Sequence, residues 1–183
     1  MAPRVVLVGP MGSGKSAVGA LLAQRLGVAL RDTDADVEAA AGRSVAEVFA
    51  AEGEAGFRRR EQDAVHAALA EHDGVLSLGG GAVLSEAVRS ALAGHRVVLL
   101  RAGWASVAQR LAGDATRPLL AGDGGSARAR WEALHAARRP LYEAVATAAV
   151  DTDGLAPREV ADRVQVALAA AGGPGQSAST TSR

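Results

Sequence analysis

Cysteine is absent from this chain, which excludes a disulfide framework and any thiolate metal site. No apolar run is long enough to cross a bilayer, and Met1–Arg4 run directly into a core strand. A signal peptide therefore has no room, and a cytoplasmic protein without a membrane partner is expected. An excess of charge of either sign is also missing: Lys+Arg 20 balance Asp+Glu 20, so nothing suggests a nucleic-acid surface. Aromatics are scarce, with two Trp, one Tyr and two Phe. Lysine is scarcer still. Lys15 is the only one, and every other basic side chain is arginine. At 183 residues a single domain is the default, large enough to bury about 70% of its unfolded surface without staples.

What is present is concentrated at one place. Gly9-Pro10-Met11-Gly12-Ser13-Gly14-Lys15-Ser16 follows the apolar run Val5–Val8 and opens a helical pattern from Ala17 to Ala23. Strand, glycine-rich turn and helix are the context that makes this string a phosphate-binding loop. Glycines let successive backbone N–H groups point into one concavity, and the helix N-terminus adds partial positive charge. Gly12, Ser13, Gly14, Lys15, Ser16 and Ala17 are the candidate nucleotide contacts. Lys15 would reach the β- and γ-phosphates and the Ser16 hydroxyl would ligate Mg²⁺. The one lysine stands where a compact ammonium suits phosphate oxygens and a planar guanidinium does not.

Strand and helix patterns then alternate. Helix Lys15–Leu26 ends at Gly27, and Val28–Leu30 reads as a second strand running into Asp32-Thr33-Asp34. Ligand crevices of open α/β sheets lie beyond the carboxyl ends of the strands, so this acidic triplet and the phosphate loop should share one crevice. Alternate residues of an extended stretch would point both carboxylates the same way; a turn capping the next helix is the alternative. Helices are expected at Val37–Ala40, Val45–Ala51 and Glu54–Ala70. Phe49, Phe57 and Arg58-Arg59-Arg60-Glu61 lie there, and with about 100° between successive residues at most one of the arginines shares a wall with Phe57. Val75–Leu78 is a third strand ending in Gly79-Gly80-Gly81, where three glycines imply a close approach to backbone. A helix at Ser85–Ala93, strand Arg96–Leu100 and helix Ala105–Leu111 come next. Residues 112–126 break periodicity, carry Arg117, and read as a lid. A helix over Ala127–Thr147 broken at Pro140, strand Ala148–Asp151 and helix Pro157–Ala171 complete a domain over 1–171. The tail 172–183 is expected to be disordered. His66, His72, His95 and His135 fall on surface helices or their ends and take no role. The alternation predicts an α/β fold, a five-stranded parallel sheet between helical layers.

Two functional classes fit a phosphate loop with acidic and arginine groups beside it. A small-molecule kinase needs a water-excluding lid and an acceptor pocket. A GTPase switch needs an Asn-Lys-x-Asp string, which a chain whose sole lysine is Lys15 does not have. The order of motifs resembles the shikimate kinases, from about Val5 to Pro157. The resemblance rests on Gly9–Ser16, Asp32-Thr33-Asp34, Phe57-Arg58, Gly79-Gly80-Gly81, Arg117-Pro118-Leu119-Leu120 and Arg138-Arg139-Pro140-Leu141-Tyr142.

That resemblance implies a nucleoside-monophosphate-kinase-like P-loop fold of strand order 2-3-1-4-5, with a lid. It implies Mg²⁺-dependent transfer of the ATP γ-phosphate to the 3-hydroxyl of shikimate, a step towards chorismate and the aromatic amino acids. Arg58 and Arg138 would grip the substrate carboxylate and Asp34 would receive ring hydroxyls. Gly80 and Gly81 would bring backbone against the substrate, and Phe49, Phe57 and Glu61 would line its pocket. Lys15, Asp34 and Arg117 would be catalytic, with Arg117 carried on the lid and Arg110 over the adenine. Ser16 would bind Mg²⁺ directly and Asp32 through water. Leu155 stands where the family often has arginine, which leaves base recognition to Arg110 and main-chain groups. ATP and shikimate are the partners implied, and a monomer is expected. A gluconate-type kinase and a non-catalytic nucleotide-binding regulator are the competing readings.

Overall fold

The computed structural model describes residues 2–111 and 124–171. Its elements run β1 Val5–Val8, α1 Lys15–Leu26, β2 Leu30–Asp32, α2 Thr33–Ala41, α3 Val45–Glu71, β3 Val75–Ser77, a 3₁₀ turn Ala82–Leu84, α4 Glu86–Ala91, β4 Val97–Arg101, α5 Trp104–Leu111, α6 Gly124–Val145, β5 Ala148–Asp151 and α7 Pro157–Ala171. The five strands form one parallel sheet of order β2-β3-β1-β4-β5. The chain reverses direction across β1, so the crevice at the switch point opens where β1 and β3 end.

Alternation along each strand sends neighbouring side chains to opposite layers. Val6, Val8, Leu76, Val97 and Leu99 pack with Val65, Leu69, Val88 and Tyr142 on one face. Val5, Leu7, Val75, Val98 and Leu100 pack with Val18, Leu22, Val160 and Val164 on the other. Both faces being covered, β1 is buried at every residue, the signature of a central parallel strand. A smaller cluster of Val37, Val48 and Phe57, with Phe49 against it, joins α2 to α3 at the sheet edge.

Two local expectations are corrected. The second strand begins at Leu30, not Val28, because the Val28 N–H is used on the Ala23 carbonyl to close α1. Pro140 does not break α6, which runs on to Val145; Leu141 and Tyr142 pack into the core beyond it and hold the following turn. The two helices expected on either side of residue 53 are there: Val45–Glu71 bends between them at Gly53, where φ is 69° and ψ is 179°. Most of the proposed lid, residues 112–123 with Arg117, and the tail 172–183 lie outside the described residues. Among the described residues no helix is long and apolar enough to cross a membrane.

Candidate active site

The turn after β1 is built as a cradle. Gly12 and Gly14 take φ of 79° and 93°, conformations that residues with a Cβ rarely adopt. Lys15 Nζ donates to the carbonyls of Gly9 at 2.9 Å and Pro10 at 3.1 Å. Ser16 Oγ donates to Asp32 Oδ2 at 3.2 Å. Asp32 serves two purposes, since its Oδ1 also accepts the Asp34 N–H at 3.0 Å and caps α2. Asp34 therefore sits in the first turn of a helix and not in an extended stretch. The cap and the crevice readings of the triplet are both satisfied. Among the described residues no group of three or more His, Cys, Asp or Glu is set to hold a metal alone. The Ser16–Asp32 pair fits Mg²⁺, a cation that keeps several waters and takes phosphate oxygens alongside one or two protein ligands.

Opposite the cradle lies a second set of groups around Gly79–Gly81. The Gly79 N–H donates to Thr33 Oγ1 at 3.0 Å. A Cβ on Gly79 would collide with Asp34 Oδ1 and stand 2.6 Å from Glu61 Oε1, and one on Gly81 would collide with the Arg58 guanidinium. Gly80 faces the other way, its Cβ position 3.3 Å from Met11 N. The glycines are thus where donor and acceptor halves meet. Arg58 Nη1 donates to Glu61 Oε2 at 2.5 Å, and its guanidinium lies 5.2 Å from the Phe57 ring centre and 5.9 Å from that of Phe49. The two rings stack at 4.3 Å. One arginine of the three faces this wall; Arg60 turns instead to Glu52. Burial pushes the Glu61 carboxyl above its ordinary range, the Arg58 cation pulls it back, and Asp34 pushes it further up. From α6, Arg138 Nη1 donates to the Gly80 carbonyl at 3.4 Å, and the Tyr142 hydroxyl donates to the same oxygen. Burial raises the Tyr142 hydroxyl above its ordinary value.

Both sets open into one cavity of about 700 Å³. Gly12, Ser13, Gly14, Lys15, Ser16, Ala17, Asp32, Asp34, Arg58, Gly80, Gly81, Arg110 and Arg138 all line it. Only Arg117 among the expected site residues falls outside the described residues. Arg110 is anchored at the end of the cavity, donating to the Gly12 carbonyl at 3.1 Å and to Thr152 Oγ1 and O at 3.0 and 2.6 Å. Leu155 and Pro157 lie in the same wall. Three buried side-chain polar atoms lack a hydrogen-bond partner among the described residues: Ser13 Oγ, Arg58 Nε and His135 Nδ1. All three residues line this cavity. Unmatched buried polar groups are costly, and their clustering here marks a place where a polar ligand completes the bonding.

Sequence reading missed four contributors. Thr33, Trp131 and Tyr142 enter the site through partners distant in the chain, and His135 through its stacking on Trp131. A signal for the last three existed. With Arg138 they recur at helical spacing from 131 to 142 on one face of α6. His135 stacks on Trp131 at 4.8 Å and is half-buried; it is not the surface histidine expected.

Comparison with known proteins converges on one family. A family model described as shikimate kinase matches residues 11–169. The shikimate kinase of Streptomyces avermitilis is 57% identical over 166 residues, 91% of this chain and 95% of that protein. That of Mycobacterium tuberculosis is 54% identical over 170 residues, 91% and 96% of the two chains. A solved structure of shikimate kinase from Acinetobacter baumannii in complex with shikimate superposes with a TM-score of 0.87 at 32% identity, over 95% of this chain and 96% of that one. A gluconokinase from Sinorhizobium meliloti reaches a TM-score of 0.57 at 19% identity, a likeness of fold alone. The family model and these relatives agree: the chain belongs to the shikimate kinase family.

Proposed function

We propose that the chain transfers the γ-phosphate of ATP to the 3-hydroxyl of shikimate, giving ADP and shikimate 3-phosphate. The observation that carries this reading is that one cavity is lined by Lys15 and Ser16 and by Asp34, Arg58 and Arg138. A guanidinium fork matches a carboxylate better than a hydroxyl. Arg58, with its buried Nε unpartnered, and Arg138 hold the acid end of the acceptor. Asp34 receives a ring hydroxyl and orients the attacking oxygen. That oxygen bonds to the γ-phosphorus as the bond to the β–γ bridging oxygen breaks with ADP leaving, and the hydroxyl proton passes to the Asp34 carboxylate that accepts its hydrogen bond. Ser16 and, through water, Asp32 would hold Mg²⁺, which would supply positive charge beside the transferring phosphate. Phosphoryl transfer asks mainly for positioning and charge stabilisation. Arg117, which lies outside the described residues, is the residue that the family resemblance implies as a further cation for the transferring group.

The test is ADP release coupled to a reporter enzyme, with shikimate, with gluconate and without acceptor. Turnover is expected with shikimate only and only with Mg²⁺ added. Turnover with gluconate at a comparable rate supports the runner-up, and none with any acceptor supports a nucleotide-binding regulator. ATP hydrolysis independent of acceptor would also overturn the assignment.

A further inference from the structure

The phosphate loop presents its N–H groups to an anion only if its carbonyls are held elsewhere, and each of four consecutive carbonyls has a donor. Lys15 Nζ takes Gly9 O and Pro10 O, and the Ser13 N–H adds a bond to Pro10 O at 3.2 Å. Arg110 takes Gly12 O. The Met11 carbonyl is taken by Trp131 Nε1 at 3.3 Å, from a residue 120 positions away. The Met11–Gly12 peptide is the one that most needs this. Gly12 sits at φ 79°, and a peptide preceding glycine rotates between turn conformations at little cost. Because the peptide is planar and trans, its carbonyl and the following N–H point in opposite directions. Holding Met11 O on the indole therefore turns the Gly12 N–H away from α6.

The indole is itself held. His135 stacks on it at 4.8 Å with 13° between the planes, and Trp104 leans against it at 5.9 Å. Trp131 is almost wholly buried in a cluster with Ala102 and Val107. From these contacts we infer that Trp131 is a positioning residue for nucleotide binding: its indole N–H sets the Met11–Gly12 peptide plane so that the loop meets the phosphates with donors. The inference rests on the nucleotide reading of this cleft and assigns Trp131 no contact with either substrate.

The test uses the full chain in three forms: unaltered, Trp131→Phe, and carrying 3-benzothienylalanine at position 131, whose ring keeps the indole's shape with sulfur in place of N–H. ADP and shikimate affinities are measured by calorimetry, and kcat and KM for ATP by ADP release. Losing the donor to the part-buried Met11 carbonyl should weaken ADP binding about five- to thirtyfold in both variants. Shikimate affinity should stay within about twofold, since Arg58 and Arg138 are untouched. A merely structural role would weaken both ligands together and lower the melting temperature of the Phe variant alone. The inference is overturned if the benzothienyl form binds ADP as the unaltered chain does, or if both affinities fall in proportion. If Trp131→Phe does not fold, the benzothienyl form decides. Should the unaltered chain bind ADP but never turn over shikimate, the kinase reading fails and the ADP comparison still judges Trp131.

Discussion

A methyl group added at Gly81 would run into the Arg58 guanidinium, while the backbone there, at φ −103°, accepts any residue. The far end of a long side chain yields more easily than a strand, so Gly81→Ala should fold normally and displace Arg58. Shikimate affinity is then expected to drop about ten- to a hundredfold, the worth of a charge-assisted contact. The KM for ATP should stay within about twofold. Unchanged shikimate binding would remove Arg58 from the acceptor pocket. Glu61, beside it, gives a second prediction, in pH. Its carboxyl is raised above its unfolded value chiefly by burial. Between those two values the folded chain holds more protons than the unfolded one, and stability falls as pH rises. Glu61→Gln lacks this titration. Its urea midpoint should gain on the unaltered protein as pH climbs from the ordinary carboxylate range through the raised value, and hold a constant lead above it. A lead that shrinks instead would mean that the Arg58 cation outweighs burial.

Helix α3 supplies one wall of the cavity from both sides of a bend. Phe49 precedes Gly53, and Phe57, Arg58 and Glu61 follow it. Glu52 bridges the bend, accepting from Arg60 Nε and Nη2 at 2.8 and 2.9 Å and from Arg43 at 2.8 Å. At φ 69° and ψ 179° Gly53 occupies a region essentially reserved for glycine, and Gly53→Ala should cost about 1–3 kcal/mol. It should also raise the KM for shikimate while leaving that for ATP alone, because the two halves of the wall lose their angle. Gly42→Ala, at another positive φ of 63° with open space around it, should lose stability without that split. Steady-state kinetics beside urea denaturation checks both. The bend was legible as a gap between two helical patterns, and the phosphate loop was legible because its chemistry is contiguous. The start of β2 was not, since one hydrogen bond from Val28 back to Ala23 decides it. Nor were Trp131 on Met11, Arg110 on Gly12 and Tyr142 on Gly80, which are 120, 98 and 62 residues apart. Spacing along a chain carries no information about such pairs. The resemblance to a family named Arg58 and Arg138, but only packing shows that α6 also reaches the phosphate loop.

Taken whole, the molecule places the phosphate-loop turn and the Arg58–Arg138 wall in one cavity beyond the ends of the central strands, with a core on each face of the sheet. Ligand binding there stabilises the entire domain. ADP at a hundred times its Kd is worth about 2.7 kcal/mol, or a melting temperature higher by about 5–11 °C for a domain of this size. Differential scanning calorimetry checks it, and Lys15→Ala should abolish most of the rise. The scarcity of lysine has a practical outcome at this scale as well. Beyond the α-amine, the chain offers an acylating or aldehyde reagent one nitrogen only, and that nitrogen lies against the Gly9 and Pro10 carbonyls inside the cleft. With the α-amine as the other amine, a reagent of that kind reports on the cleft through one lysine, and bound nucleotide should lower its uptake there.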